Sequence, residues 1–344
     1  MQTIKVFLAQ ESKGKIGGGW TFVDNLKKST PRLVITDNIE ESEVVLIPSA
    51  TMLTRKYLKE IREKYKDKPF VLRIDNLPPD HRNSGKGWAR LLACALASDH
   101  MIFQSEWAKN HIYPQLVPHT GEKSHSIVYN GVDTKIFTPD GDTYLDKEIE
   151  LLFGQHRKMR DLSPRFLFFL SSSDPAKRIE EVVHLFREYS AYSRENGTGD
   201  PLLVLAGKGY PKEWVDYDFE FRNDENILYI PQPFVDKKAV ASLYRSCDAL
   251  IFTAYGNACS NTVLEAMACG LNVLYQAYGG QHELISPFGV PINYVDMGGI
   301  EMMSAVAQLG NHEHIRAKVE SEYTLANMGG AYARVFEKVL KYKK

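Results

Sequence analysis

The chain has 344 residues, 44% of them hydrophobic and 25% charged, and a net charge of −1. This is the profile of a globular protein long enough for two cores, and it leaves no global electrostatic case for nucleic acid. Residues 1–140 hold 20 Lys/Arg against 16 Asp/Glu and residues 141–344 hold 22 against 27, so only the first half tilts mildly toward an anionic partner.

The opening "MQTIKVFLAQ" reads as a strand rather than a signal peptide. The strands "IKVFLAQ", "EVVLIPS", "FVLRID", "HMIFQS" and "SIVYNG" follow one another, with helical patterns such as "TRKYLKEIREKYK" and "GWARLLACALAS" between them. These runs are apolar on both faces and bounded by turn residues, as parallel strands covered by helices are. A polar stretch, "TPDGDTYLDKE", and a basic one, "GQHRKMRD", interrupt the alternation. It restarts with "RFLFFLSS", a helix over about 177–194, "PLLVLAG", "NILYIPQP", "KKAVASLYRSCD", "ALIFTAY", a helix after Thr262, "LNVLYQA" and "VPINYV". Two doubly wound α/β domains are expected: 1–140, a linker over 141–163, 164–321, and a final helical segment 322–344 that packs as core. Ligands of such sheets bind beyond the carboxyl ends of the strands, and the cleft between two of them is the default site. The four cysteines, Cys94, Cys247, Cys259 and Cys269, have no metal-ligand or CxxC spacing, which suits reduced thiols in a cytoplasmic protein. No apolar run reaches the roughly 18 residues of a membrane span, and a peripheral membrane role stays open.

Several loops carry charge or glycine where chemistry could sit. Gly17, Gly18 and Gly19 precede a helix, where backbone N–H groups attract anions, although the same run would serve a plain surface loop. "VLRIDNLPPDHRNSGKG" brings Arg73, Asp75, Asp80, His81, Arg82 and Lys86 to a strand end, as an acceptor or proton-transfer cluster or as a solvated loop. Lys177 and Arg178 fall where "RFLFFL" feeds the next helix; the helix dipole disfavours cations there, so a diphosphate is the better reason for them. The carboxylate pairs Asp140/Asp142 and Asp216/Asp218 have the look of metal ligands but lie at no convincing strand end, so no metal site is assigned. In "CSNTVLEAMACG" a lone acid, Glu265, sits within an apolar helix. Thr262 and Glu265 fit a capping box, while Ser260, Asn261 and Thr262 could equally present helix-start amides to a phosphate, with Glu265 accepting from ligand hydroxyls.

"SNTVLEAMACGLNVLYQAYGGQHELI", with "SLYRSCDALIFTAY" and "LVLAGKG" upstream, resembles the nucleotide-sugar signature of glycosyltransferase family 4. "YNGVDTKIFTP" and "ASDHMIFQSEWAK" resemble the end of that family's N-terminal domain. The resemblance implies the GT-B fold, two Rossmann-like domains facing across a cleft with the C-terminal helix returning to the first. It implies retaining transfer from a nucleoside diphosphate sugar to a hydroxyl acceptor on a glycan, a lipid-linked carrier or a small molecule, without a cofactor or metal. Glu265 matches the second Glu of the E-x7-E motif, which binds the donor ribose, and Lys177 matches the lysine on the donor phosphates. The implied catalytic positions are Lys177, Asp75 and Asn257. The implied donor contacts are Gly17, Gly18, Gly19, Ser172, Lys177, Arg178, Gly207, Ser260, Asn261, Thr262 and Glu265, and Arg73, His81 and Arg82 are acceptor candidates. The chain departs from the pattern at Asn257, where the motif has its first Glu, and at Ser172, where the family has an Arg that Arg178 would replace. Asp75, with His81 further on, stands nearest the family's His. Two other expectations remain open: a non-catalytic protein that binds sugar nucleotide or glycan on the same fold, and a hydroxymethylated DNA base as acceptor.

Overall fold

The structure is a computed structural model and describes residues 3–11, 18–75, 86–144, 162–170, 179–207, 224–230, 236–310 and 312–342. The chain divides into two compact units. The first comprises Met1–Asp133, Asn257–Asn261 and Glu322–Lys344; the second comprises Thr134–Gly256 and Thr262–Ser321.

The first unit is built on a six-stranded parallel sheet in the order β2-β1-β3-β4-β5-β6. Its strands are β1 (Ile4–Leu8), β2 (Leu33–Thr36), β3 (Val44–Ile47), β4 (Phe70–Ile74), β5 (His100–Phe103) and β6 (Ser124–Ile127). Strand β3 shows why both faces are covered. Val44 and Leu46 enter one apolar cluster and Val45 and Ile47 another, all fully buried, because successive side chains of a strand point to opposite faces. On the first face lie α1 (Gly18–Ser29) and the C-terminal helix, numbered α11 below (Leu325–Tyr342), whose Tyr332, Phe336 and Val339 pack with Val6 and Phe22. On the second face lie α2 (Arg55–Lys64), α3 (Lys86–Ala97) and α4 (Glu106–Thr120). Thr54 starts α2 by accepting from Tyr57 N at 3.2 Å, and Ser105 starts α4 by accepting from Ala108 N at 3.0 Å, each satisfying an orphan donor of the first turn.

The second unit holds another six-stranded parallel sheet, ordered β12-β11-β10-β7-β8-β9. Its strands are β7 (Arg165–Phe169), β8 (Leu202–Ala206), β9 (Ile227–Ile230), β10 (Ala249–Phe252), β11 (Asn272–Tyr275) and the two-residue β12 (Val290–Pro291). The helices among its described residues are α5 (Ile179–Glu195), α6 (Lys237–Arg245), α7 (which begins at Asn261 and ends at Ala268), α8 (Gln281–Ile285), α9 (Gly299–Val306) and α10 (His312–Glu322). Phe166, Phe168, Phe186, Leu203, Ile251 and Met302 form the core between the sheet and α5 and α9. Strand order reverses between β7 and β10 here, and between β1 and β3 in the first unit; in each sheet that is where the crevice beyond the strand ends opens.

The stretch from Thr134 belongs with the second unit because two arginines hold its carbonyls. Arg316 donates to Thr134 O at 3.0 Å and Phe137 O at 2.6 Å, and Arg245 donates to Thr138 O at 3.2 Å and Asp142 O at 2.8 Å. Asp140 and Asp142 are therefore part of an exposed turn clasped by Arg245. Asp216 and Asp218 lie outside the described residues, and among those described no group of three His, Cys, Asp or Glu could hold a metal ion. No described helix is long and apolar enough to cross a membrane.

His100 is an ionisable group sealed in β5, 1% exposed, with Nδ1 2.9 Å from Ser124 Oγ and Nε2 3.0 Å from Ser126 Oγ. Burial, then the charges of Lys338 and His125, lowers its pKa from 6.5 to about 4. The unfolded chain binds the proton more readily, so stability is lost as pH falls from 6.5 toward 4, by up to about 3 kcal/mol. Urea midpoints measured across that range for the native chain and His100→Gln should converge at low pH, since the variant lacks this proton linkage.

Candidate functional site

In the second unit the crevice lies at the ends of β7 and β10. A small pocket there is lined by Phe168, Phe169, Phe252, Thr253, Ala254 and Thr262. Ser172, Lys177 and Arg178, which follow β7 in the chain, lie outside the described residues. Gly207 follows β8 with φ +117°, a region L side chains rarely adopt, and a Cβ there would stand 3.0 Å from Leu170 O. The backbone of β8 can thus run close beside the end of β7 only with glycine at 207.

Glu265 stands on α7 between fully buried neighbours, Val263, Leu264, Ala266 and Met267. It is itself half-buried. Burial raises its carboxyl pKa from 4.5 to about 7, opposed first by the charge of Lys237 and then by the Tyr244 hydroxyl. Both partners come from α6, seven residues apart and so on one face of that helix. Tyr244 is 1% exposed and donates to Thr262 O at 3.1 Å, which ties α6 to the first turn of α7. Its phenol is pushed well above its ordinary pKa by burial and then by the Glu265 charge, so it remains a neutral hydroxyl. Lys237 opens α6, where the helix dipole disfavours a cation. The nearby carboxylate of Glu265 offsets that cost. The result is a carboxyl group that is charged or neutral near pH 7, carried by a well-packed helix whose Thr262 lines the pocket. Glu265 is legible in the sequence, whereas Tyr244 and Lys237 become its partners only through the packing of α6 beside α7.

Ser260 and Asn261 count with the first unit, and a second network fixes them there. Asn130 donates through Nδ2 to Cys259 O at 3.0 Å and to Asn261 Oδ1 at 3.1 Å. Its own Oδ1 accepts from Arg73 at 3.2 Å. Arg73 was expected among exposed charges at a strand end. It lies instead inside β4, 2% exposed, donating also to Gln104 Oε1 at 2.7 Å and Pro48 O at 3.0 Å, with its guanidinium 4.0 Å over the Phe22 ring. Every residue of β4 is buried, so a charge in this strand must be met internally. Arg73 organises the carboxyl edge of the first sheet and is not open to an acceptor. Asp75 is half-buried just past β4, and Asn257 is half-buried in the loop before α7. Gly18 and Gly19 form the start of α1, beyond the end of β1 and so beside the switch point of that sheet. A Cβ at Gly19 would lie 3.0 Å from Met52 Sδ. Gly17, His81 and Arg82 lie outside the described residues.

Residues 155–293 match the family model described as Glycosyl transferases group 1. A search of curated proteins finds no match. Among solved structures the chain is similar to HepE of Anabaena in complex with UDP-glucose, at 13% identity and TM-score 0.69, covering 98% of this chain and 100% of that one. It is similar to sucrose-phosphate synthase of Thermosynechococcus elongatus, at 12% identity and TM-score 0.69, covering 99% and 100%. It is similar also to AviGT4, a glycosyltransferase involved in avilamycin A biosynthesis, at 14% identity and TM-score 0.63, covering 98% of each chain. Identities this low speak for the fold alone. Two parallel six-stranded sheets flanked by helices, matched over nearly the whole chain, are the GT-B fold of two Rossmann-like domains.

Two outcomes follow for the residues placed here. Arg73→Ala strands the acceptors on Pro48, Gln104 and Asn130 in the interior and should destabilise the first unit by about 3 kcal/mol in urea unfolding. Because the pKa of Glu265 is raised, its contribution to stability is present below pH 4.5 and is lost as pH climbs to about 7. Glu265→Gln should remove that decline, so that the variant gains at least about 1 kcal/mol on the native chain between pH 4.5 and 7.

Proposed function

We propose that the chain is a retaining glycosyltransferase of family 4, moving a sugar from a nucleoside diphosphate sugar to a hydroxyl acceptor. One observation carries the reading: Glu265, whose charge Tyr244 and Lys237 of α6 favour, lies on α7 three residues after Thr262, which lines the pocket at the β7/β10 switch point. In its ionised form the carboxylate accepts from paired hydroxyls, as a ribose offers, and its rigid helix fixes the distance to whatever sits at the helix start. Ser260, Asn261 and Thr262, at that start, are suited to the diphosphate. Lys177 and Arg178 supply the cations and Ser172 a polar contact for the phosphates. In the second unit Gly207 permits close backbone approach to a ligand; in the first unit, taken by itself, Gly17, Gly18 and Gly19 permit the same, and Asp75 and Asn257 are candidate polar contacts for a sugar.

In the reaction the bond from the anomeric carbon to the diphosphate breaks, and a bond to the acceptor oxygen forms on the same face. The acceptor proton passes to the departing phosphate oxygen. Cations and helix-start amides stabilise the charge that develops there, and this scheme needs no resident metal. UDP-glucose is the first donor to test, since HepE was solved with it. The four free, buried cysteines suit a cytoplasmic setting.

A second reading is favoured by Asn257, an amide where the resemblance has a carboxylate. It is a protein that binds sugar nucleotide without transferring the sugar. A thermal-shift screen of UDP-, GDP-, ADP- and dTDP-sugars, followed by an assay for donor hydrolysis and transfer, separates the two. A donor at 100 times its Kd should add about 2.7 kcal/mol to stability. Transfer requires that one donor both stabilises and turns over, with Glu265→Ala and Lys177→Ala each lowering turnover at least tenfold. Stabilisation without turnover supports the second reading, and a screen with no stabilising donor removes both.

A further inference from the structure

Two tyrosines on the second unit stand out from the rest of its surface. Tyr255 and Tyr278 stack face to face with ring centroids 4.1 Å apart and planes 15° apart, yet they are 62% and 39% exposed. Tyr255, the more exposed of the two, keeps most of its surface in water and can extend the stack.

The pair is rigidly placed. Tyr255 lies on the loop that leaves β10, at the switch point, and Tyr278 on the loop that leaves β11. Gly256 N donates to Tyr278 O at 2.9 Å and joins the loops, and Gly256 makes its turn at φ +69°, where a side chain would be strained. Beneath them Gln281, 0% exposed, sets its Nε2 among Ala254 O at 3.1 Å, Gln276 O at 2.8 Å and Tyr278 O at 2.9 Å. A buried amide set among three loop carbonyls holds the two loop backbones together before any ligand arrives, which lowers the ordering cost of binding.

We propose that the Tyr255–Tyr278 stack is a platform for a sugar ring of a neutral glycan acceptor. This rests on the transferase reading above and names its acceptor class. A pyranose offers a patch of C–H groups for the ring face and hydroxyls at its rim for the phenols, which tyrosine matches in one side chain. Charge argues for a neutral partner. Segments 253–256 and 276–286 contain no Lys or Arg and carry instead Glu283 and His282. A nucleic-acid strand stacked here would find no cation on these loops for its phosphates, where single-strand binders pair stacking aromatics with a basic groove.

The test uses the full chain and calorimetric titration with maltohexaose, cellohexaose and chitohexaose. Single-stranded dT20 is titrated at two salt concentrations, and UDP-glucose thermal shift is run in parallel. At least one hexasaccharide should bind, Tyr255→Ala or Tyr278→Ala should weaken it tenfold or more, and Tyr255→Phe should retain most of it. The donor shift should be unchanged in all three variants. Failure of every hexasaccharide, binding indifferent to the double alanine variant, or salt-sensitive dT20 binding lost on Tyr255→Ala would each overturn the proposal. A donor shift without tyrosine-dependent glycan binding sinks the platform alone. Tyrosine-dependent glycan binding with no donor shift sinks the transferase reading alone.

Discussion

Putting a carboxyl group into the apolar face of a helix costs free energy unless something nearby answers it. In α7 the answer comes from one face of α6, as a hydroxyl from Tyr244 and a positive charge from Lys237. The same hydroxyl holds the backbone of Thr262, so the acid and the start of its helix are positioned together. Most of what distinguishes the second unit chemically depends on this pairing. Removing Tyr244 takes away both its bond to Thr262 O and the hydroxyl that favours the Glu265 charge. A cap alone would not need a tyrosine buried to 1% exposure on a neighbouring helix.

The first unit uses a parallel device with a charge of opposite sign. Arg73 is buried in β4, where its two terminal nitrogens donate to neutral groups, two amides and a carbonyl, and its guanidinium lies over the Phe22 ring, while Nε has no hydrogen-bond partner among the described residues. Through Asn130 it reaches Cys259, just before α7, and Asn261, the first residue of that helix. In the first unit the buried charge lies near the carboxyl edge of a parallel sheet, where the fold gathers its loops and where rigidity serves binding.

The α/β alternation was legible because strands covered on both faces read as continuous apolar runs bounded by turn residues. Strand β2 was missed: it is only four residues long and lies at the sheet edge, with Val34 43% exposed, so its apolar run is too short to stand out. Helix α4 runs through Pro114 and Pro118, residues that local rules place at helix breaks. The strand expected at "SIVYNG" is shifted to Ser124–Ile127, ahead of its apolar centre, because the residues after it turn toward the bonds of Asn130 and Gly131. At the site, Glu265 was legible as the one acid in an apolar helix. Its partners were not, because tertiary contact between α6 and α7 decides them. Arg73 misled for a related reason: sequence marks a charge near a strand end as exposed, and only the packing around β4 reveals a buried one.

The central claim is that Glu265 receives the ribose hydroxyls of a nucleoside diphosphate. Calorimetric titration of the native chain with UDP and with 2′,3′-dideoxy-UDP tests it most directly. Loss of the two hydroxyls should weaken binding at least tenfold, about 1.4 kcal/mol, and the difference should vanish in Glu265→Ala. Equal affinity for the two nucleotides, or a difference that persists in Glu265→Ala, would contradict it.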